Sequence, residues 1–297
     1  MAHSVALVDL SWALYKYRHY YKNTCRISYR VDSISPHKEE MIPTGHVYGT
    51  INTIQQLASQ YKAVILAVDS KAHERYEVLP TYKAGRHVPS GDPYDDYPIM
   101  TDLMNILKIC TFQKNVFYIK HEGLESDDII ASWISYSIWT KNWDMYCYFN
   151  DVDILQTIGE YHWCRSFHEP PVDRESYIKD KFGLDLMVLP IWWKVIRGDP
   201  SDGIPSSIPR FPGKKLIELC MRGELLGASL ESFLKALGMV TTLTNEIIEN
   251  ITRNYMVLQP ILKPVGDFKL KRLGASFEEL RDLLVYYQIN DFVLQGG

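Results

Sequence analysis

Strand-like and helix-like runs alternate along the first half of the chain, and this alternation limits the fold more than any other feature. "SVALVDL" (4–10), "AVILAVD" (63–69), "NVFYI" (115–119) and "DMYCYFN" (144–150) are apolar runs of strand length. Between them lie runs with helical spacing: 44–62, where Ile51, Ile54, Leu57 and Ala58 share a face, then 99–109 and 126–139. Such alternation predicts an α/β protein with a mainly parallel central sheet flanked by helices. From about residue 187 the pattern becomes helical, with turn signals in "GDPSDGIPSSIPRFPG" (198–213). The expected division is an α/β unit over 1–186 and a helical part over 187–297. The stretch 70–98 fits neither pattern. It is polar, aromatic and basic, then rich in Pro, Gly and Asp, and loops this long inside a compact domain are usually functional or disordered.

In a parallel sheet, residues just past the strand C-termini gather along one edge, where ligands bind. Acids occupy those places here. Asp9 and Asp69 end two apolar strands, Asp151 and Asp153 follow "DMYCYFN", and Glu125, Asp127 and Asp128 stand at the mouth of a helix. Asp199 and Asp202 repeat the three-residue spacing of Glu125 and Asp128, which places a pair on one helix face. Nine carboxylates at one edge repel, and several are driven to the protonated form unless cations sit among them. Mg²⁺ prefers oxygen ligands and keeps several waters, so some acids hold it directly and others through water. Two such ions about 4 Å apart suit a phosphoryl displacement. Each acid also has a plainer reading alone: Asp127 as a helix N-cap complementing the macrodipole, Asp9 and Asp69 as strand-end turn residues.

The motifs, taken in order, resemble those of a known family. "LVDLSW", "TGHVYGTINTI", "AVILAVDS", "ERYEVLPTYKAGR", "LESDDIIAS", "NDVDILQTI" and "GDPSDGIPSSIP" are similar to seven successive motifs of the 5′-nucleases, the flap endonucleases and 5′→3′ exonucleases of PIN-like fold. "RNYMVLQPI" looks like a helix that follows them, so the resemblance spans nearly the whole chain. It implies a Mg²⁺ site, with Mn²⁺ able to substitute, built from the nine acids Asp9, Asp69, Glu125, Asp127, Asp128, Asp151, Asp153, Asp199 and Asp202. It implies cleavage of DNA or RNA/DNA at or near a free 5′ end, as in primer or flap removal. It makes 70–98 an arch passing 5′ single strands. Lys83 and Arg86 fall where the family places catalytic cations at the scissile phosphate. Tyr82 falls where an aromatic stacks an unpaired base, and Arg75 where a phosphate contact is expected; a solvated loop face is an equal alternative for these two. Ser126 replaces the family's alanine, and Gly203 its asparagine. The family's helix–hairpin–helix becomes "SSIPRFPGKKLIE", with Arg210 and Pro212 near glycine positions. Lys214 and Lys215 would still open a helix at duplex phosphates, and this modified hairpin, 203–213, is where a monovalent cation is often held in the family.

Hydrophobic residues at 46% and charged residues at 23% are ordinary for a soluble protein, and no apolar run reaches the roughly 18 residues of a membrane span. No signal peptide is expected. Five scattered cysteines without C-x-x-C argue for reduced thiols in a cytoplasmic setting and against zinc. The net charge of −4 argues mildly against nucleic acid, but with the nine acids offset by metal the remainder is net basic. Among the tyrosines, Tyr15, Tyr17, Tyr20 and Tyr21 either stack on bases or pack beside the sheet. No P-loop, G-x-G-x-x-G or metalloprotease motif is present. The expectation is a monomeric metal-dependent nuclease acting on 5′ flaps or ends. Polymerase or single-strand-binding proteins are conceivable partners. The alternatives are a non-catalytic relative that binds branched nucleic acid, and a hydrolase of small phosphates, which would need neither the basic arch nor Lys214 and Lys215.

Overall fold

The structure, a computed structural model, describes residues 3–21, 27–31, 39–87, 91, 96–140, 143–149, 154, 162–165, 176, 179, 190–221, 229–287 and 289. Its strands are β1 (His3–Asp9), β2 (Ile27–Val31), β3 (Glu39–Pro43), β4 (Ala63–Val68), β5 (Val116–Lys120), β6 (Trp143–Tyr148) and β7 (His162–Arg165). Five of them form a parallel sheet in the order β5-β4-β1-β6-β7. The chain runs outward from β1 through β4 to β5, then returns to the other side of β1 with β6. The order therefore reverses between β1 and β6, and a ligand crevice is expected outside the strand C-termini there. The antiparallel pair β2–β3 and the edge strand β7 were not foreseen from sequence. Neither run carries the long apolar stretch by which the other strands are recognised.

Both faces of the sheet are covered, which explains the unbroken apolar runs. Val5 and Leu7 face Ile129, Ile130, Trp133 and Ile134 of α5 (Ser126–Thr140). Ala6 and Val8 face the other way, towards α1 (Leu10–Tyr20), α2 (Gly45–Gln60) and α4 (Leu103–Cys110). Ile51, Ile54 and Leu57 of α2 are buried, as their spacing predicts. Two glycines let α1 and α2 approach. A Cβ on Gly45 would come 2.6 Å from Tyr21 Cβ, and one on Gly49 would come 2.4 Å from the Tyr17 ring. Tyr17 is therefore a packing residue, buried and hydrogen-bonded to Thr53.

Part of the expected arch is folded down. Helix α3 (His73–Val78) and the turn after it put Arg75, Leu79 and Tyr82 into the interior. Beyond them, α6 (Pro190–Arg197), α7 (Gly213–Met221), α8 (Leu230–Gly238) and α9 (Asn245–Leu258) build a third core. Trp192 stacks on Phe233 at 4.0 Å and on Tyr255 at 5.2 Å. Helices α6 and α7 are the pair read as a helix–hairpin–helix, but the connection between them does not establish that motif. Arg210 does keep a left-handed φ of 59° there, the conformation a glycine would supply.

After α9 the chain returns to the α/β unit. The Ile261 N–H donates to Asp128 and the Lys263 N–H to Ser132, while Tyr118 and Lys271 form a short bridge beside β5. Helix α10 (Phe277–Tyr286) buries Leu280 and Leu284 in the same core as α1, α2 and α4. Among the described residues no helix is long and apolar enough to cross a membrane.

Candidate active site

Asp9 closes β1 and caps α1, its Oδ1 accepting from the Trp12 N–H at 3.0 Å. Asp69 follows β4 and accepts from the Ser126 N–H at 2.7 Å, which ties the end of one strand to the start of α5. Asp127 lies in the first turn of α5. Asp199 caps a short 3₁₀ turn, Pro200–Asp202, after α6. Asp9, Asp69, Glu125, Asp127, Asp199 and Asp202 line one open cleft of about 380 Å³ with Lys83 and Arg86. It opens at the strand C-termini beside β1, where the topology places a ligand crevice. Asp151 and Asp153, which follow β6 in sequence, lie outside the described residues.

The cations meet the acids in pairs. Lys83 Nζ is 2.6 Å from Glu125 Oε1, Lys194 Nζ is 3.1 Å from Asp199 Oδ2, and Arg86 pairs with Asp202. Burial works against charge on Lys83, but Glu125 and Asp127 outweigh it and hold the ammonium above its usual pKa. Burial likewise pushes Asp199 up, yet Ser201 and Lys194 outweigh it and hold the carboxyl below the usual range. Asp127 goes the other way: burial and then the neighbouring Asp128 drive it well above the usual range. Without a bound cation the protonated form of Asp127 is thus favoured, although Arg75 Nη1 lies 4.0 Å from its Oδ1. Among the described residues no three His, Cys, Asp or Glu side chains converge closely enough to hold an ion as they stand. Glu125, Asp199 and Asp202 each turn towards a protein cation instead.

Three sequence expectations change. Asp128 does not face the cleft: it is fully buried, and both its oxygens are occupied. Oδ1 accepts from Arg75 and the Ile261 N–H, and Oδ2 from Arg75 and the Glu125 N–H. Arg75 does not reach for phosphate. Its Nε donates to the Val257 carbonyl, Nη1 to Glu125 and Asp128, and Nη2 to Asp128 and the Gln259 carbonyl. Those bonds use all five guanidinium donors. Tyr82 does not offer a stacking face, because it is buried and its hydroxyl donates to Glu125 at 2.8 Å. The three acids at the mouth of α5 thus divide their work. Asp128 and Glu125 share a buried arginine, and Asp127 is presented to the cleft.

Lys214 and Lys215 are exposed on the first turn of α7 and do not line the cleft. The sequence reading missed Lys194, Ser11, Trp12 and Ser201 as cleft residues; Tyr15, which it named only among the tyrosines, lines the cleft too. Lys194 had a signal, for it precedes "GDPSD" on a helix whose Val195 and Ile196 are buried.

A parallel sheet covered on both faces, with an acidic cleft at its C-terminal edge, defines an α/β protein whose carboxylate-lined site lies where such sheets bind ligands. The chain belongs to the family described as 5′-3′ exonuclease, N-terminal resolvase-like domain, whose pattern matches residues 4–183. It is 27% identical over 188 residues to DNA polymerase I of Caldicellulosiruptor bescii, covering 60% of this chain and 21% of that protein. It is 25% identical over 202 residues to a 5′-3′ exonuclease of Streptomyces coelicolor, covering 62% and 64%. The chain thus spans less than two thirds of either relative. In fold it is similar to the bacteriophage T5 D15 flap endonuclease in complex with DNA and metal ions, with TM-score 0.62, 17% identity and coverage of 96% and 99%. It is also similar to the T5 5′-exonuclease with bound zinc, with TM-score 0.61, 18% identity and coverage of 86% and 89%.

Proposed function

We propose that this chain is a divalent-metal-dependent 5′-nuclease that hydrolyses phosphodiesters at or near the 5′ end of DNA or RNA/DNA, by flap cleavage and by 5′→3′ exonuclease action. The observation that carries this reading is one cleft in which six carboxylates face Lys83 and Arg86. The donor set fits a hard cation, since the lining residues are rich in carboxylate oxygens and include neither His nor Cys. Asp9, Asp69, Glu125, Asp127, Asp199 and Asp202, completed by Asp151 and Asp153, would hold Mg²⁺ directly or through water. The ions, when bound, supply a nucleophile at neutral pH and stabilise the leaving oxygen. Lys83 and Arg86 would leave their carboxylate partners and bind the scissile phosphate, where their charge meets charge that develops during cleavage. The helical part over 190–258 would hold duplex through Lys214 and Lys215, with salt-sensitive affinity. Removal of primers or flaps is the fitting cellular role, performed by a monomer.

The test is cleavage of a 5′-labelled flap duplex with Mg²⁺ or with chelator, comparing wild type with Asp69→Asn and Asp127→Asn. Asp128 is left intact because it holds the fold. Cutting near the junction that needs metal and is lost in both variants, while binding persists, supports the nuclease reading. Tight binding without cutting in Mg²⁺ or Mn²⁺ would show a non-catalytic binder of branched nucleic acid.

A further inference from the structure

The turn that carries Asp199 and Asp202 also sets where the Lys83 ammonium stands, and a glycine makes this possible. Lys83 has a left-handed φ of 55°, which costs a residue with a long side chain some strain. Contacts from the turn hold it there. The Lys83 N–H donates to the Asp202 carbonyl at 2.7 Å, and Thr81 Oγ1 donates to the Gly203 carbonyl at 3.3 Å. Gly203 has a φ of 69°, and a Cβ on it would lie 2.3 Å from the Thr81 carbonyl oxygen and 3.7 Å from the Lys83 nitrogen. That near contact is with backbone, so no side-chain rotation relieves it. Between Thr81 and Lys83, Tyr82 is buried in one core with Ile204, so this stretch cannot swing away without uncovering an aromatic ring. In the turn as this chain builds it, a Cβ on Gly203 would push apart the two backbones that bring Lys83 to Glu125 and Arg86 to Asp202.

We propose that Gly203 is a positioning residue for the cleavage reaction: its lack of a Cβ lets the Thr81 carbonyl seat against the turn and so fixes Lys83 over the acidic cleft. The inference rests on the nuclease reading. Gly203→Ala is expected to lower kcat roughly 10- to 100-fold, the scale of a misplacement of about 1 Å, with Kd for the flap duplex unchanged. A merely structural role is separated by a double-mutant cycle. In the Lys83→Met background, Gly203→Ala is expected to cost at most about twofold more, because the group it positions is already gone. Multiplying losses, or wild-type kcat in Gly203→Ala, overturns the proposal. Gly266→Ala, where a Cβ meets nothing within 4 Å, is the control and should cleave as wild type does. Should Gly203→Ala fail to fold, Thr81→Ala removes the bond to the Gly203 carbonyl without a clash. It should lower kcat roughly two- to tenfold, again only when Lys83 is present, and an unchanged kcat there also overturns the proposal. Wild type that cuts nothing with metal would instead sink the nuclease reading itself.

Discussion

The two residues at the mouth of α5, Asp127 and Asp128, look alike in sequence and are placed differently, one lining the cleft and one fully buried. Burial raises the pKa of both, but at Asp128 Arg75 and two backbone amides work against it, whereas Asp127 is driven well above its usual range by burial and by Asp128. A carboxyl whose folded pKa is raised adds stability that is fully present below its unfolded pKa and is lost as pH rises through the folded value. In chelator, the melting temperature of wild type should therefore fall with rising pH through that window relative to Asp127→Asn. At neutral pH Asp127→Asn should melt higher than wild type while losing roughly 10²-fold or more in cleavage. Scanning calorimetry and the flap assay read the two effects, and a lower melting point for Asp127→Asn would contradict this account. Arg75 gives the reverse pattern. Arg75→Met leaves Asp128 buried without a counter-ion and Glu125 with Lys83 alone, and should destabilise the fold by about 3–5 kcal/mol. Arg75→Lys should not restore it, since an ammonium cannot make the forked contact with Asp128. Arg86→Met, at a half-exposed side chain whose partner Asp202 is buried, should cost activity and lower the urea midpoint less than Arg75→Met does.

At the scale of elements, the contact of α1 with α2 depends on Gly45 and Gly49. The Tyr17 ring occupies the space of a Cβ on Gly49, and it cannot retreat because its hydroxyl bonds Thr53 in the same core. Gly49→Ala should destabilise by about 1–3 kcal/mol through overpacking, seen as a lower denaturant midpoint at unchanged slope. The "TGHVYG" motif was legible in the sequence as a family mark, and its helix was legible from the spacing of Ile51, Ile54 and Leu57. Its glycines could not be explained without knowing that tyrosines from α1 lie over them. The stretch 70–98 shows the opposite limit. Its polar and aromatic composition marked only a functional or disordered loop and the family resemblance made it an arch, yet Arg75 and Tyr82 are buried, because Glu125 and Asp128 receive the guanidinium and Glu125 the phenol. Composition cannot reveal that a partner some fifty residues away will bury a charged side chain.

Across the whole molecule, the segment after α9 binds the helical part back to the α/β unit. It supplies an amide to Asp128, a bridge beside β5 and two apolar side chains to the core of α1, α2 and α4. Leu280→Ala, at a fully buried position, should therefore destabilise the α/β unit by about 2–5 kcal/mol although it lies far from that unit in sequence. Urea unfolding followed by tryptophan fluorescence would measure this, and a wild-type midpoint would show that α10 rests on the unit without supporting it. The same return path links the site to the third core, for Arg75 reaches the Val257 and Gln259 carbonyls from beside the cleft. The parallel sheet, its covering helices and the order of acids along its C-terminal edge follow from the sequence by itself, because strand and helix periods are local and a parallel sheet has one ligand-binding edge. Only the tertiary structure decides which acids face the cleft, that Arg75 and Tyr82 are buried supports, and that Gly203 must lack a side chain. Those outcomes depend on backbone atoms at Thr81, Val257, Gln259 and Ile261, whose positions no local pattern encodes.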